Sequence, residues 1–258
     1  MWNPTTGVLV RNYIPCLDTN DTPCLYDLVE QKPYYNAGNL SFTTGDVLPP
    51  QVSLLRLNKD EIPLPQEYKR LKYLESTGTQ YIDTGIKGKN TLRTEITLQE
   101  LQISKGTAVF GTFDSNSSHV YYIYQQGSPE ASFQPPWQVG MGDFENTSTL
   151  VDLNKHTFIL DDNKVYLDGN ILSTFTQQAF TTTRTLILFN MHKADNTLYT
   201  AAPQRLYSCK MIDNGTIIRN YVPALRLSDN TPGMYDLVNK VFYTNSGTGQ
   251  FLYEWENK

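Results

Sequence analysis

The chain is poor in the residues that cross-link a protein or bind metals. Its 258 residues include three cysteines and three histidines, and 18% of its side chains are charged, against roughly 25% in an average globular chain. The cysteines, Cys16, Cys24 and Cys209, are odd in number and widely spaced. The sequence therefore predicts free thiols, and neither a disulfide framework nor a zinc site.

Long apolar runs and an excess of positive charge are also missing. No segment approaches the ~18 consecutive apolar residues of a membrane-spanning helix, and the first twenty residues lack the basic start and apolar run of a secretory signal. The net charge is −5 and the isoelectric point is near 5.2, which argues against a basic face for nucleic acid. We expect neither nucleic-acid binding nor membrane insertion.

No window shows a helical period longer than two turns. The chain has 29 threonines and 17 tyrosines, which favour strands, and segments such as 93–101 and 120–126 alternate polar and apolar residues between turn signals. The turn dipeptides Asp162-Asn163 and Asp168-Gly169 place 156–172 in a hairpin or meander. Many short antiparallel strands predict an all-β, two-sheet sandwich or jelly roll.

The sequence contains an internal repeat. Gly7–Phe42 and Gly215–Phe251 align with one single-residue gap, and 17 of the 36 positions in the first copy are identical, including RNY-x-P and YDLV. The first copy has almost nothing in front of it, whereas a long β-pattern precedes the second. We therefore predict that 1–45 are the C-terminal strands of an incomplete upstream jelly-roll copy. A proline-containing linker, 46–65, then leads to a complete domain, 66–258.

The repeat has two structural consequences. Asp236 lies inside the repeated YDLV motif, so we expect its carboxylate to accept hydrogen bonds from the backbone of a hairpin. The strands of 7–42 have edges that need partners. We predict that they pair with the sheet of 66–258, within the chain or across to a second copy, which would make a homo-oligomer.

Two end motifs resemble a known family. The opening YLESTGTQYIDTGI (73–86) and the closing segment 205–251, which begins RLYSCKMIDNGTIIRNYVPALR and ends PGMYDLVNKVFYTNSGTGQF, resemble the laminin-G-like, concanavalin A-like lectin and glucanase jelly-roll modules. More narrowly, they look like the version of this module that occurs in bacteriophage structural, tail-associated proteins and in gut-bacterial surface proteins. The resemblance implies two curved antiparallel sheets with neighbouring terminal strands, and a location on a virion or an extracellular surface. It also implies binding of glycans or protein surfaces, sometimes through calcium.

Signatures of catalysis are missing from the sequence. A glycosidase needs two carboxylates, about 5–5.5 Å apart for a retaining mechanism, which one strand would supply as an E-x-D-x-E-like run. There is no such run, no G-x-S-x-G elbow, no glycine-rich phosphate loop and no His/Cys cluster with metal spacing. We expect that the protein is not an enzyme, and a glycoside hydrolase is the least favoured interpretation.

Candidate ligand-binding residues cluster in 113–144. Sugars are bound by aromatic faces together with a few carboxylates and amides, often on loops. Tyr122 and Tyr124 share one face of a strand and Tyr121 and Ile123 the other, so one pair at best is available. Two prolines precede Trp137, which indicates either that it stands on a stiff, exposed loop or that it packs over the edge of the sandwich. The full candidate set is Trp137, Tyr122, Tyr124, Asp114, Asn116 and His119.

No cofactor is required by any motif, and calcium is the one candidate. Hard cations take carboxylate and backbone oxygens from loops. The loop carboxylates of Asp114, Asp143 and Asp195 could contribute such oxygens, although no contiguous calcium motif exists.

The sequence favours a non-catalytic binding module that recognises a glycan or host-surface receptor within a larger phage or cell-surface protein. The alternative is a purely structural virion or surface-assembly domain without a small ligand. The apolar surface distinguishes them, because an isolated aromatic groove favours glycan binding whereas a broad apolar patch favours assembly.

Overall fold

The computed structural model describes residues 11–18, 22–27, 29–30, 32–39, 42, 64–114, 119–127, 134–176 and 178–256. The chain forms two compact units, Met1–Pro63 and Leu64–Lys258. Within the described ranges all regular structure is β, as the sequence predicts, and no helix is long and apolar enough to cross a membrane. The predicted linker lies outside the described residues, apart from its last two.

The first unit is a small antiparallel sheet. Its strands are β1 (Tyr13–Leu17), β2 (Pro23–Asp27) and β3 (Lys32–Tyr34), arranged in the order β1-β2-β3. Between the first two strands, the Asp18 carboxylate accepts a hydrogen bond from the backbone N–H of Thr22 at 2.9 Å. These strands form a sheet of their own, without a strand from 64–258.

The second unit contains two larger antiparallel sheets. Its strands are β4 (Tyr68–Ser76), β5 (Ile82–Lys89), β6 (Leu92–Glu100), β7 (Thr107–Phe113), β8 (Val120–Gln125), β9 (Pro136–Met141), β10 (Asp143–Leu150), β11 (Lys155–Asp161), β12 (Lys164–Leu167), β13 (Asn170–Thr174), β14 (Thr181–Leu188), β15 (Gln204–Asp213), β16 (Thr216–Arg226), β17 (Thr231–Asp236), β18 (Val241–Tyr243) and β19 (Leu252–Trp255). The six-stranded sheet has the order β10-β9-β8-β7-β14-β5. The ten-stranded sheet has the order β13-β12-β11-β6-β15-β4-β16-β17-β18, with β19 also paired to β4.

The larger of two hydrophobic clusters is built from both of these sheets, so the second unit is a β-sandwich. Strand β6 buries every second residue, which is the pattern of a strand with one face on a core. Its Ile96 and Leu98 belong to the same buried cluster as Phe110 and Ile123 of the six-stranded sheet. Each such side chain contributes ~1.5–3 kcal/mol when it is fully buried.

The predicted meander is confirmed at its turns. Strands β11, β12 and β13 pair consecutively. Asp162 and Asp168, the first residues of the two turn dipeptides, have φ angles of 54° and 50°. Aspartate tolerates this left-handed region better than most residues, which explains why these dipeptides mark the turns.

The two copies of the repeat have the same strand register. Tyr13 is opposite Asp27 between β1 and β2, and their counterparts Tyr221 and Asp236 are opposite each other between β16 and β17. The pairing of β2 with β3 likewise matches that of β17 with β18. The sequence repeat is therefore also a structural repeat.

The buried aspartate of each copy makes equivalent hydrogen bonds. The Asp236 carboxylate accepts from the backbone N–H groups of Asn220 at 2.9 Å and Val238 at 3.0 Å, which confirms its predicted role. In the first unit, the Asp27 carboxylate accepts hydrogen bonds from the backbone N–H groups of Asn12 at 3.0 Å and Val29 at 2.9 Å.

Candidate functional site

A groove lined mainly by aromatic residues lies on the six-stranded sheet, on the face that points away from the ten-stranded sheet. Its volume is about 220 Å³. This is below the ~300–1,000 Å³ of pockets for drug-sized ligands, so it suits a group about the size of one ring. The lining residues are Phe113, Tyr122, Tyr124, Gln138, Phe144, Met191 and Tyr199.

The alternation of strand β8 places two tyrosines in the groove. Tyr121 and Ile123 face the core, and the Tyr121 hydroxyl donates to Oγ1 of Thr94 on the opposite sheet at 2.9 Å. Because neighbouring residues of a strand point to opposite faces, Tyr122 and Tyr124 face the other way and line the groove. The prediction that one of the two pairs faces the core is confirmed, whereas in the other pair Tyr122 is 1% exposed and Tyr124 is half-buried.

Four of the lining rings form a closed circuit of contacts. The ring centroids of Phe113 and Tyr122 lie 5.9 Å apart, those of Tyr122 and Tyr124 6.3 Å, those of Tyr124 and Tyr199 5.7 Å, and those of Tyr199 and Phe113 6.3 Å. These tilted and edge-on contacts fall in the favourable range for aromatic pairs. Each ring therefore packs against two neighbours in the wall of the groove.

A chain of polar groups runs along one side of the groove. The Tyr122 hydroxyl donates to Oε1 of Gln138 at 3.0 Å, and Nε2 of the same amide donates to Oδ1 of Asn146. Gln138 lies in β9 and Asn146 in the exposed strand β10. The groove therefore offers amide groups beside its aromatic surface.

Tyr199 reaches the groove on a segment that folds back after β14. The backbone N–H of Phe113 donates to the carbonyl of His192 at 2.9 Å, and that of Ala108 donates to the carbonyl of Thr200 at 2.8 Å. Both bonds fasten this segment along β7. Sequence reasoning missed Tyr199, because nothing in its neighbourhood predicts the return of the chain to this sheet.

The tyrosine hydroxyls of the groove are neutral at physiological pH. Burial raises the pKa of Tyr122, Tyr124 and Tyr199 above the ordinary value of about 10 for tyrosine. Burial has this effect because it disfavours the charged phenolate. These groups therefore act as hydrogen-bond donors and acceptors, and not as bases.

The expectation that Trp137 stands on an exposed loop is wrong. Its side chain is fully buried in strand β9 and packs edge-on against Phe158 of the other sheet, with ring centroids 5.0 Å apart. The preceding proline, Pro136, is the first residue of the strand, a position that tolerates proline. The two prolines therefore mark the start of a core strand, and Trp137 contributes to packing.

The predicted polar loop gives no ligand-binding cluster within the described residues. Asp114 is 5% exposed, and its carboxylate accepts hydrogen bonds from the backbone N–H and the hydroxyl of Thr183 and pairs with Arg184 at 3.2 Å. It is thus a structural anchor, which corrects the prediction. His119 is half-buried just before β8, outside the groove lining, and Asn116 lies outside the described residues.

The three predicted calcium ligands do not converge. No group of three His, Cys, Asp or Glu side chains within the described ranges could hold a metal ion. Asp114 is occupied by Thr183 and Arg184, and Asp195 accepts hydrogen bonds from the N–H and hydroxyl of Thr197 at 3.0 and 2.6 Å. Asp143 is exposed at the start of β10. These carboxylates therefore do not form one site.

A second cavity, of about 270 Å³, lies beside Arg226 and Asn245 near the chain's end. The Arg226 guanidinium is already held by Asp229, with its closest contact at 2.7 Å. The Asn245 side chain accepts from the backbone N–H groups of Tyr81 and Gly247. The polar groups of this cavity stabilise the loop that surrounds it, so it is a weaker candidate than the groove.

No protein-family model matches the chain, and neither a curated protein nor a solved structure matches it. The groove itself therefore carries the functional assignment.

Proposed function

We propose that the protein is a carbohydrate-binding module that holds one sugar ring in the aromatic groove. The observation that carries this proposal is the closed circuit of four rings next to a hydrogen-bonded amide pair. Stacking of a sugar needs an apolar face, and recognition of its hydroxyl groups needs a few fixed polar groups. The groove combines both at the size of one ring.

The contact surface comes from the more accessible rings. Phe144 is 39% exposed, and Tyr124 and Tyr199 are half-buried, so each has surface left for a ligand. Tyr122 is 1% exposed and forms the floor, with its hydroxyl directed at Gln138. A sugar would stack on the accessible rings while its hydroxyls exchange hydrogen bonds with the amides of Gln138 and Asn146.

The proposed setting follows the family resemblance. We propose a concanavalin A-like jelly roll within a larger phage virion or cell-surface protein, where it would recognise a glycan or host-surface receptor. The all-antiparallel sandwich and the position of the groove on an open sheet face support this. We propose binding without catalysis, because the residues that line the groove offer aromatic, amide and thioether groups and no carboxylate.

A glycan array probed with the whole chain tests the proposal. We expect binding to a restricted set of glycans, with binding lost in Tyr124→Ala and retained in Tyr253→Ala. Tyr253 is a matched control because it is a 37% exposed tyrosine on β19 of the other sheet. The array is run with calcium and with chelator, since loss in chelator would reveal a required cation. Equal binding by both variants would overturn the assignment to the groove.

Structural assembly is a second candidate, and it has its own observation. The residues that form the core in the second unit are exposed at the matching positions of the first. Tyr13 is 38% exposed and its counterpart Tyr221 is fully buried, while Leu25 is 38% exposed and its counterpart Met234 is fully buried. We propose that a second copy of the chain covers this face.

Sedimentation velocity over a range of concentrations tests the assembly proposal. Leu25→Lys should weaken self-association, because it places a charge on the uncovered face. Val29→Lys is the matched control, since Val29 is 42% exposed and its counterpart Val238 in the complete unit is 40% exposed. A chain that stays monomeric at every concentration would exclude this candidate.

A further inference from the structure

Two of the three cysteines lie directly opposite each other on neighbouring strands. Cys16 of β1 pairs with Cys24 of β2, and their sulfur atoms are 3.2 Å apart. Directly opposed residues of an antiparallel pair have Cα atoms about 4.5–5.5 Å apart, within the ~4.4–6.8 Å span of disulfides. An S–S bond of about 2.05 Å needs the sulfurs to approach by only about 1 Å. Sequence spacing alone does not reveal this pair.

The repeat shows that the pair is specific to the first unit. The matching positions of the second unit are Ala224 and Gly233, which are also directly opposed. A Cβ added at Gly233 would come within 2.7 Å of the Phe242 ring and even closer to the backbone carbonyl oxygen of Tyr243, so there is no room for a thiol at this position. The counterpart of Phe242 in the first unit is Pro33. The first unit thus has two thiols at the positions where the second unit has Ala224 and Gly233.

We propose that Cys16 and Cys24 form an intramolecular disulfide when the chain meets a small-molecule disulfide such as oxidised glutathione. The bond would link β1 and β2 directly, in a unit where the apolar side chains of Tyr13 and Leu25 are each 38% exposed. The site is thus a covalent cross-link within the first unit, and it is independent of the groove.

The reaction proceeds by two thiol–disulfide exchanges. Cys16 is half-buried and Cys24 is 4% exposed, so Cys16 meets the oxidant first. Its thiolate attacks one glutathione sulfur, and a glutathione thiolate leaves. Cys24 then gives its proton to solvent, attacks Sγ of Cys16 in the mixed disulfide and expels the second glutathione. Two protein thiols are oxidised, and one glutathione disulfide is reduced to two thiols.

The pH dependence of closure follows from the buried Cys24 thiol. Burial, together with the hydrogen bond to Cys16, raises the pKa of Cys24 to about 12. Because the thiolate is the nucleophile, closure should accelerate as the pH rises from 7 to 9.

The test is a redox titration of the whole chain, followed by alkylation and mass spectrometry. The reduced chain is equilibrated with mixtures of oxidised and reduced glutathione, in buffer and in guanidinium chloride. In buffer we expect the mass of the chain to fall by that of two hydrogen atoms. We also expect a disulfide-linked peptide that contains Cys16 and Cys24, and no bound glutathione. Because the fold holds the thiols together, half-closure should need at least about tenfold less oxidant than in the unfolded chain.

Two variants complete the test. Cys209→Ala should close as the native chain does, because Cys209 is a fully buried thiol in the second unit. Cys24→Ala should stop at a single glutathione adduct on Cys16. The proposal is overturned if the native chain keeps three thiols in excess oxidant, if it accumulates stable glutathione adducts, or if it closes no more readily folded than unfolded.

Discussion

Tyr122 and Gln138 are joined across strands β8 and β9 by a hydrogen bond in which the tyrosine hydroxyl donates to Oε1 of the amide at 3.0 Å. The bond fixes the orientation of the amide, whose nitrogen donates to Asn146 in turn. One buried tyrosine thereby sets the direction of the polar groups that would meet a sugar. The geometry of the groove depends on this contact as well as on its rings.

Tyr122→Phe should weaken glycan binding and slightly destabilise the fold. Loss of the hydroxyl removes the donor to Gln138, which should cost about 1 kcal/mol of unfolding free energy and let the amide reorient. Tyr121→Phe is the matched control, because it removes a similar buried hydrogen bond to Thr94 on the opposite face. It should cost similar stability and leave binding unchanged. Equal loss of binding in the two variants would show an effect of stability alone.

Glu100→Gln should stabilise the protein at alkaline pH. Glu100 is 1% exposed, and burial raises the pKa of its carboxyl well above the usual range, against the opposing effect of the hydrogen bond from Gln125. Because its pKa is raised in the folded state, its contribution to stability is present below about pH 4.3. It is lost as the pH rises through the folded pKa.

Thermal unfolding of the native chain and Glu100→Gln at pH 4 and pH 8 measures this effect. The glutamine amide cannot ionise, so the variant should melt at a higher temperature than the native chain at pH 8. A difference of ~1 kcal/mol in unfolding free energy corresponds to about 2–4 °C in a domain of this size. The two proteins should melt together at pH 4. If the variant were equally destabilised at both pH values, ionisation of the Glu100 carboxyl would not be what reduces the stability of the native chain at pH 8.

His156 should make stability fall as the pH rises above about 6.5. Its Nδ1 lies 2.6 Å from an Asp168 oxygen and its Nε2 lies 2.9 Å from an Asp152 oxygen. Burial opposes protonation, but the two carboxylates outweigh it and raise the pKa of His156. A raised pKa means that the stabilisation is complete below the unfolded pKa and is lost as the pH passes the folded one.

Chemical denaturation between pH 5.5 and 8.5 measures this dependence. His156→Gln should make the curve less steep, because it removes the ring that the Asp168 and Asp152 carboxylates contact. A native curve that is flat in this range would contradict the prediction.

Alanine at the two repeated aspartates should have unequal effects. Asp236→Ala removes the acceptor for two backbone N–H groups inside the sandwich, which should cost about 3 kcal/mol. Asp27→Ala removes equivalent bonds in the first unit only, so the main thermal transition should stay where it is. A shift of that transition by Asp27→Ala would show that the first unit contributes to the stability of the second.

The strands, the repeat and the faces of β8 could be predicted, because each depends on local patterns. Alternation assigned Tyr122 and Tyr124 to one face, and the repeated YDLV motif identified the role of Asp236. The prediction for Trp137 failed because a pair of prolines occurs before loops and also at the start of strands. Only the pairing of β9 with β8 and β10 settles which of these holds.

The rest of the groove could not be predicted, since it depends on contacts between distant segments. Phe144 and Tyr199 line the groove together with Tyr124 only because β10 pairs with β9 and the segment after β14 runs along β7. The pairing of Cys16 with Cys24 was within reach, because the register of the hairpin follows from the repeat. The number and spacing of the cysteines alone do not indicate this pairing.

The most direct test of the account is the crystal structure of the chain with the glycan that the array ranks highest. We predict a sugar ring stacked on Tyr124 between Tyr199 and Phe144, with a hydroxyl group within hydrogen-bonding distance of the Gln138 or Asn146 amide. A sugar bound elsewhere, such as in the cavity beside Arg226, with the groove empty, would contradict the account.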